Sequence, residues 1–418
     1  MPGPKQRLLT PVLILFMGTM VLANIAGAMS RPLLPLYLQE LGANVGNVGL
    51  FFTLSSIAPL IFQIFGGWLS DSIGRLQAIA IGSLAGLSSY AVYIFAPTWG
   101  WVLLASIGSA MAVAFVAPSY QAFIAEQSTE ETRGRVYGLT ETIFGIVGVV
   151  GPLVGGYIAQ GLSFTTMWIV AGCLYGSAAV IRVLMARTAS RQDQQEGVAR
   201  QKPTFAGLKS SLVAMFGMLV GGGVITWIFI SDGVRDTTFG LTQQLTPLYL
   251  ENLMGLSVVQ ISWLNSLSAV VAMLLMSPAG MLSDRHGERV GIVGGFGIIC
   301  LGWVLFLTGS SFPQFVAAWM IIGAGQALVV PAYSSLISKA VPIHLRGMAF
   351  GLFSTSIGLI SLPAPWIGAQ LWEAFRPIVP FYIPFVAMLI MIPIMWVKFK
   401  LPPVPLEEVT EPETLPAA

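Results

Sequence analysis

Four charged side chains stand in stretches that are otherwise apolar. Asp232, Arg235 and Asp236 lie in "ITWIFISDGVRDTTFGLTQQLTPLYL", and Arg31 lies in "AGAMSRPLLPLYL". Residues three and four apart share a helix face, so Asp232, Arg235 and Asp236 project together if this stretch is helical. An ionisable group held in hydrocarbon costs roughly 2.5–3.5 kcal/mol at a helix centre, so such groups face a cavity or one another. Their chemistry is proton transfer. A carboxylate in a partly dry cavity binds its proton more tightly, and a neighbouring cation opposes that, so a carboxylate–guanidinium cluster can load and release a proton. Glu141, early in another apolar run and near Arg135, is a further candidate for the same role. A different placement stays open: residues 212–231 are apolar throughout, and if they formed the span, Asp232 would begin a solvated outer loop.

The elements that must position these groups follow from composition. Of 418 residues, 55% are hydrophobic and 9% charged, with a mean hydropathy of +0.81. Soluble domains carry roughly 25% charged residues, so this chain is read as a multi-span membrane protein in contact with a lipid bilayer. Apolar runs of spanning length occur at 11–38, 46–69, 76–95, 99–125, 136–160, 164–186, 223–250, 256–281, 290–309, 313–337, 348–371 and 378–397. In lipid every backbone polar group must be satisfied within its own segment, so these runs are expected as twelve helices. The first run, which contains Ala26-Gly-Ala28, is read as a retained span rather than a signal peptide because it is long enough to cross and leads straight into more helix.

Seventeen of the 20 Lys and Arg residues, Arg182 among them, fall on the side of the termini, and Arg376 alone falls on the other. By the positive-inside rule both termini are cytoplasmic, which puts the chain in the cytoplasmic (inner or plasma) membrane. Residues 187–222 read as a cytoplasmic linker between halves at 1–186 and 223–400. Within it Phe205, Leu208, Leu212, Met215, Phe216 and Leu219 recur at helical spacing, as on an amphipathic surface helix. Residues 401–418, rich in Pro and Glu, read as a disordered cytoplasmic tail. The net charge of +2 and the lack of a basic stripe argue against a nucleic-acid partner. Cys173 and Cys300 each sit inside an apolar run and read as small buried hydrophobes, with no disulfide expected.

The two halves repeat one another. "GGWLSDSIGR" at 66–75 and "AGMLSDRHGE" at 279–288 are offset by 213 residues, which pairs Asp71 with Asp284 and Gly74 with Gly287. The same offset pairs Pro118 with Pro331, Tyr120 with Tyr333 and Pro152 with Pro365, while "PLYL" at 35–38 returns at 247–250. Such a repeat places a binding site between the halves, near the middle of the bilayer. In the loops, Gly67 and Gly280 would let helices approach closely, and Gly74 and Gly287 would permit a tight turn. Asp71 would face a helix N-terminus of the other half, and Arg75 would pair with an acid such as Glu126.

On these residues the chain resembles the major facilitator superfamily over nearly its whole length. The 66–75 stretch is similar to that family's signature loop between spans two and three, and 279–288 to its echo between spans eight and nine. Leu76 departs from the pattern, which has a second basic residue there, and so does Glu288, with Arg289 following. The resemblance implies an all-α membrane fold of twelve helices in two pseudo-symmetric six-helix halves. It also implies that the loop residues Gly67, Asp71, Gly74, Arg75, Glu126, Gly280, Asp284, Gly287 and Arg289 gate an alternating-access cycle. In the family, spans one, four, seven and ten line the central cavity. That places Arg31 opposite the span-seven aspartates and gives Asn24, Tyr120, Gln121, Gln243, Gln326 and Tyr333 as substrate-cavity residues.

"GIVGVVGPLVGG" at 145–156 resembles the span-five Gly-Pro signature of the family's drug exporters and antiporters, with Gly151, Pro152, Gly155 and Gly156 matching and Val147 departing. Span four lacks the arginine that proton-linked exporters often carry there. The expected function is a secondary transporter that exports an apolar or amphipathic small molecule in exchange for protons. The alternative is an importer or facilitator of a small organic anion. An enzyme is disfavoured, since no H-E-x-x-H, G-x-S-x-G or phosphate-binding glycine loop occurs. No cofactor or metal is expected, and the protein is expected as a monomer.

Overall fold

The computed structural model describes residues 10–62, 73–196, 224–340 and 358–399. Among them the regular structure is helical throughout, and ten helices are long and apolar enough to cross a bilayer. Spans seven and eleven complete the set of twelve. Span seven is broken into Val224–Gly240 and Thr246–Asn252, and span eleven is described from residue 358, including Ala364–Ala374. The charged stretch of span seven is therefore helix rather than outer loop. Gly67, Asp71, residues 197–222 and the tail at 401–418 lie outside the described residues. Residues 187–196, read from sequence as linker, continue the span-six helix Phe164–Glu196.

Local chemistry sets the helix ends. The Thr10 hydroxyl accepts from the Leu13 amide to start span one, and Asn44 accepts from Asn47 to start span two. Spans five and eight begin with reciprocal caps, Thr129 with Thr132 and Ser257 with Gln260. Each cap satisfies amides that the first helical turn leaves without partners. Four glycines, and no other described residue, have positive φ: Gly42 (86°), Gly74 (105°), Gly255 (66°) and Gly287 (89°). A side chain there would be strained. They form two pairs at the 213-residue repeat offset, so both halves turn at the same places. Gly280 departs from the sequence reading: among the described residues nothing lies within 4 Å of where its Cβ would stand, so no described helix approaches closely there.

Each half has the same aromatic anchor at the end far from the termini. In the first half Tyr37, Tyr93 and Trp168 pack together, with ring centroids 5.5 Å apart for Tyr37–Trp168 and 4.0 Å for Tyr93–Trp168. The repeat, at an offset of 212 for Tyr37 and 213 for the other two, gives Tyr249, Phe306 and Phe381, which lie 5.0–5.5 Å from one another. Apolar side chains such as Ile14, Leu84, Leu104, Val180, Leu274 and Leu301 are exposed on the outside, as a lipid-facing surface requires.

The halves meet along two seams. Span five meets span eight: Val259 N–H donates to Gln160 at 2.9 Å, Trp263 Nε1 to the Tyr157 hydroxyl at 3.3 Å, and the Ser266 hydroxyl to the Val149 carbonyl at 2.7 Å. Span two meets span eleven: Gly46 N–H donates to Glu373 at 2.7 Å and Trp366 N–H to Thr53 at 3.1 Å. A Cβ on Gly49 would collide with Ala369 and the Pro365 carbonyl, so glycine is required for that contact. Gln39 and Asn252 exchange two amide hydrogen bonds of 3.2 Å across the far end. Among the described residues, these hydrogen bonds between the halves lie toward the end away from the termini.

Candidate functional site

Spans one and seven are both interrupted at the same repeat position. Span one changes from α-helix (Pro11–Ser30) to a 3₁₀ turn at Arg31–Leu33 and resumes at Leu34. Pro32 lacks the amide hydrogen that would continue the helix. Span seven stops at Gly240 and resumes at Thr246. Broken helices in paired positions of two membrane repeats can open backbone and side chains onto a binding site. Arg31 and Gln243, which stand at these breaks, line one cavity of about 660 Å³ between the halves.

The cavity wall comes mostly from the second half. Phe239, Thr242, Gln243 and Leu250 belong to span seven, Ile261, Asn265 and Ser268 to span eight, Trp303 and Phe306 to span nine, and Trp319, Ile322 and Gln326 to span ten. The first half adds Arg31, Pro32, Leu34 and Phe52. Gln243 is therefore on the wall as the repeat register suggests, and Gln326 as the family pattern implies. The described lining has no contribution from span four, where the family pattern led to Tyr120 and Gln121. Tyr120 is buried in the first half's own core, 5.6 Å from the Phe16 ring and 5.9 Å from that of Phe144. Gln121 is exposed, and its carbonyl accepts from the Tyr137 hydroxyl at 2.8 Å. Asn24 donates to the Met20 carbonyl at 2.8 Å.

The charged cluster sits one helical turn from the cavity. Arg235 bridges both acids, with Nη1 2.9 Å from Asp232 Oδ1 and Nε 2.9 Å from Asp236 Oδ1. Asp232 is 5% exposed, and the side chain of Asp236 is 40% exposed. The Arg235 guanidinium also lies 5.3 Å from the centre of the Tyr333 ring, whose hydroxyl is 3.0 Å from that of Ser231. Tyr333 thus braces the cluster from span ten rather than lining the cavity. Two carboxylates share one cation, so the cluster carries a surplus negative charge that one proton neutralises. Arg31 is in none of the ion pairs of the described residues, and Arg235 takes the place across from the acids that the sequence reading gave to Arg31. Glu141 is exposed at the terminal-side part of span five.

One functional-looking charge escaped the sequence reading. The charge pattern groups Arg182 with the loop cations, yet it is 1% exposed. It donates to the Thr19 hydroxyl at 3.1 Å, the Thr19 carbonyl at 3.2 Å, the Ser83 hydroxyl at 2.9 Å and the Met20 sulfur at 2.8 Å. The repeat offers the signal that could have found it. Arg182 corresponds to Met395 in the second half, and its neighbour Met20 corresponds to Asp232, so the halves bury opposite charges at related depths.

The loop residues expected to gate make their contacts within each half. Arg75 Nε lies 3.2 Å from Glu126 Oε1, which ties the start of span three to the end of span four. Arg289 donates to the Trp396 carbonyl at 2.9 Å and stacks 4.0 Å over its ring, and Glu288 meets Ser335 and Lys339. Asp284 is exposed. In span five the glycines of the Gly-Pro stretch are contact points. A Cβ on Gly151 would collide with Ala28, one on Gly155 with the Met29 backbone, and one on Gly156 with Ser262 of the other half. Pro152 lies inside the continuous helix Glu130–Gly161. Span five therefore clamps span one just before its break while touching the opposite half.

Comparison with known proteins agrees with this architecture. The family model described as Major Facilitator Superfamily matches residues 16–245 and 234–417. An uncharacterised MFS-type transporter of Methanocaldococcus jannaschii is 27% identical over 328 residues, covering 78% of this chain and 82% of that one. A multi-drug resistance efflux pump PmrA homolog of Lactococcus lactis is 25% identical, over 79% and 81% of the two chains. The class C tetracycline resistance protein of Escherichia coli is 24% identical, over 87% and 90%. Among solved structures, a peptide transporter POT in complex with sulfate superposes with a TM-score of 0.71 at 14% identity, covering 92% and 93%. A D-xylose–proton symporter does so at 0.67 and 14%, covering 92% and 96%. These structural likenesses concern the fold. The chain belongs to the major facilitator superfamily and is a membrane transporter, not an enzyme.

Proposed function

We propose that the protein exports an apolar or amphipathic small molecule in exchange for protons, by rocking its two halves about the cavity between spans one and seven. The observation that carries this reading is the Asp232–Arg235–Asp236 cluster, which stands one turn of the same helix from cavity-lining Phe239. A proton arriving at the cluster removes its surplus negative charge and alters its hold on Arg235. Because the cluster and cavity-lining Phe239 share the helix Val224–Gly240, loading either biases the same movement. The drug-efflux relatives support the direction, and the asymmetric distribution of Lys and Arg supports termini on the cytoplasmic side of the inner or plasma membrane. The loops at 66–75 and 279–288 then act as the gates on that side. Cavity, cluster and seams are all built within one chain, so a single copy holds every part the cycle needs.

The test is transport in sealed proteoliposomes under an imposed pH gradient, with tetracycline as first solute and a panel of amphipathic dyes beside it. Uphill movement of a panel member against the proton flux, abolished by a protonophore, is expected. Movement only down its own gradient, at a rate indifferent to pH, contradicts the reading.

A further inference from the structure

Arg31 is exposed to the cavity between the halves, and it is the one charged residue among the described cavity lining. No carboxylate is present in that lining. The other described cations with ion pairs are Arg75, Arg235 and Lys339, and each is neutralised by its own acid. A guanidinium left in a membrane-embedded cavity keeps its free energy low only through water or a ligand. A ligand that displaces that water must replace its hydrogen bonds, and a cationic ligand would instead meet an uncompensated like charge.

The rest of the wall specifies the remainder of the molecule. Gln243, Asn265, Gln326 and Thr242 offer polar contacts that both donate and accept, and Phe239, Trp303, Phe306 and Trp319 form an aromatic face, with Phe52 on the wall from the other half. A volume of about 660 Å³ is ample for a bicyclic or tricyclic body and wasteful for an inorganic ion. We propose that the cavity takes an amphipathic organic anion, its oxyanion head held by Arg31 and its apolar body against the aromatic wall. This rests on the cavity being the transport site, and it narrows the substrate to one sign of charge. Arg31 and Gln243 stand at the two helix breaks, so the halves divide the work: a cation from one and an amide from the other. An anion leaving while a proton enters moves charge in one direction, so the membrane potential would drive both fluxes.

The experiment is equilibrium binding to the full-length protein in phosphatidylcholine nanodiscs, by titration calorimetry, with three probes sharing one ring system. These are naphthalene-2-sulfonate, neutral 2-naphthalenemethanol and trimethyl(2-naphthylmethyl)ammonium, whose charges do not change with pH. The sulfonate should bind at least about tenfold tighter than the alcohol, as a charge-assisted hydrogen bond provides, and the ammonium weakest. Arg31→Gln should erase the preference while leaving the affinity for the alcohol, which also shows that the variant is folded. Arg31→Lys should retain the sign of the preference. An anionic head could belong to a soluble molecule or to a phospholipid. If adding phosphatidylglycerol weakens sulfonate binding only when Arg31 is present, the cavity takes the lipid headgroup; no effect assigns it to free anions. Absent sulfonate binding, equal affinities, preference for the ammonium, or a preference that survives Arg31→Gln overturns the proposal. No gradient is applied, so a failure of proton coupling leaves this result standing, and the reverse holds too.

Discussion

At the scale of single residues, the two halves have divided their buried charges. Asp232, Arg235 and Asp236 form a bridged cluster in the second half, whereas Arg182 lies alone among hydroxyls, a carbonyl and a thioether in the first. The span-seven cluster was legible in the sequence because charges at i, i+3 and i+4 in an apolar run have few structural meanings. Arg182 was not, because it sits four residues from the end of its apolar run, where hydropathy cannot separate a buried side chain from a loop. The exclusion of Tyr120 from the described cavity wall has a related cause: composition locates a span, but the rotation of a helix about its axis is decided by packing. Arg182 yields a prediction about stability. Its planar guanidinium reaches Thr19 and Ser83 together, which an ammonium cannot do, and no ion pair among the described residues offsets its charge. Arg182→Lys should lower stability by about 2 kcal/mol or more. Arg182→Met, which installs the residue found at the repeat-related position 395, should be tolerated better because it removes the buried charge altogether. Thermal unfolding of both variants in the same nanodiscs checks the order, and a lysine variant as stable as the methionine variant contradicts it.

At the scale of helices, function depends on where glycine allows contact and where it does not. The Gly-Pro stretch of span five could be read in the sequence as a packing motif. What it packs against, span one on one side and span eight on the other, needed the structure. The two kinds of contact should respond differently to bulk. Gly155→Val drives a side chain into the Met29 backbone inside one half and should reduce folded protein, since buried overpacking costs about 1–3 kcal/mol. Gly49→Val strikes span eleven across the seam, so the halves should separate there without unfolding. Labelling of Gln326→Cys by an impermeant maleimide from the face opposite the termini should quicken in the Gly49→Val background. An unchanged rate contradicts the seam's role as a gate.

At the scale of the whole molecule, the sequence carried most of the architecture: twelve spans, two repeats offset by 212–213 residues, and a site between them. It carried these because lipid enforces long apolar helices and because duplicated turns need duplicated glycines. Less was legible of the cavity, since the interruptions at Arg31–Leu33 and after Gly240 are short and their surroundings stay apolar. Hindsight finds their signals in Pro32 and in Thr242-Gln243-Gln244, both just ahead of "PLYL". In the proposed cycle a proton taken up by the span-seven cluster drives movement through that cavity. The most direct measurement compares wild type with Asp232→Asn, Asp236→Asn and the double variant in proteoliposomes, using the best-transported solute of the panel. Substitution by Asn keeps side-chain size and hydrogen bonding but removes titration. Downhill exchange should persist in all variants, while accumulation driven by the pH gradient collapses in at least one single variant and in the double. Uphill transport by the double variant with wild-type proton stoichiometry would contradict the account and place the coupling elsewhere in the molecule.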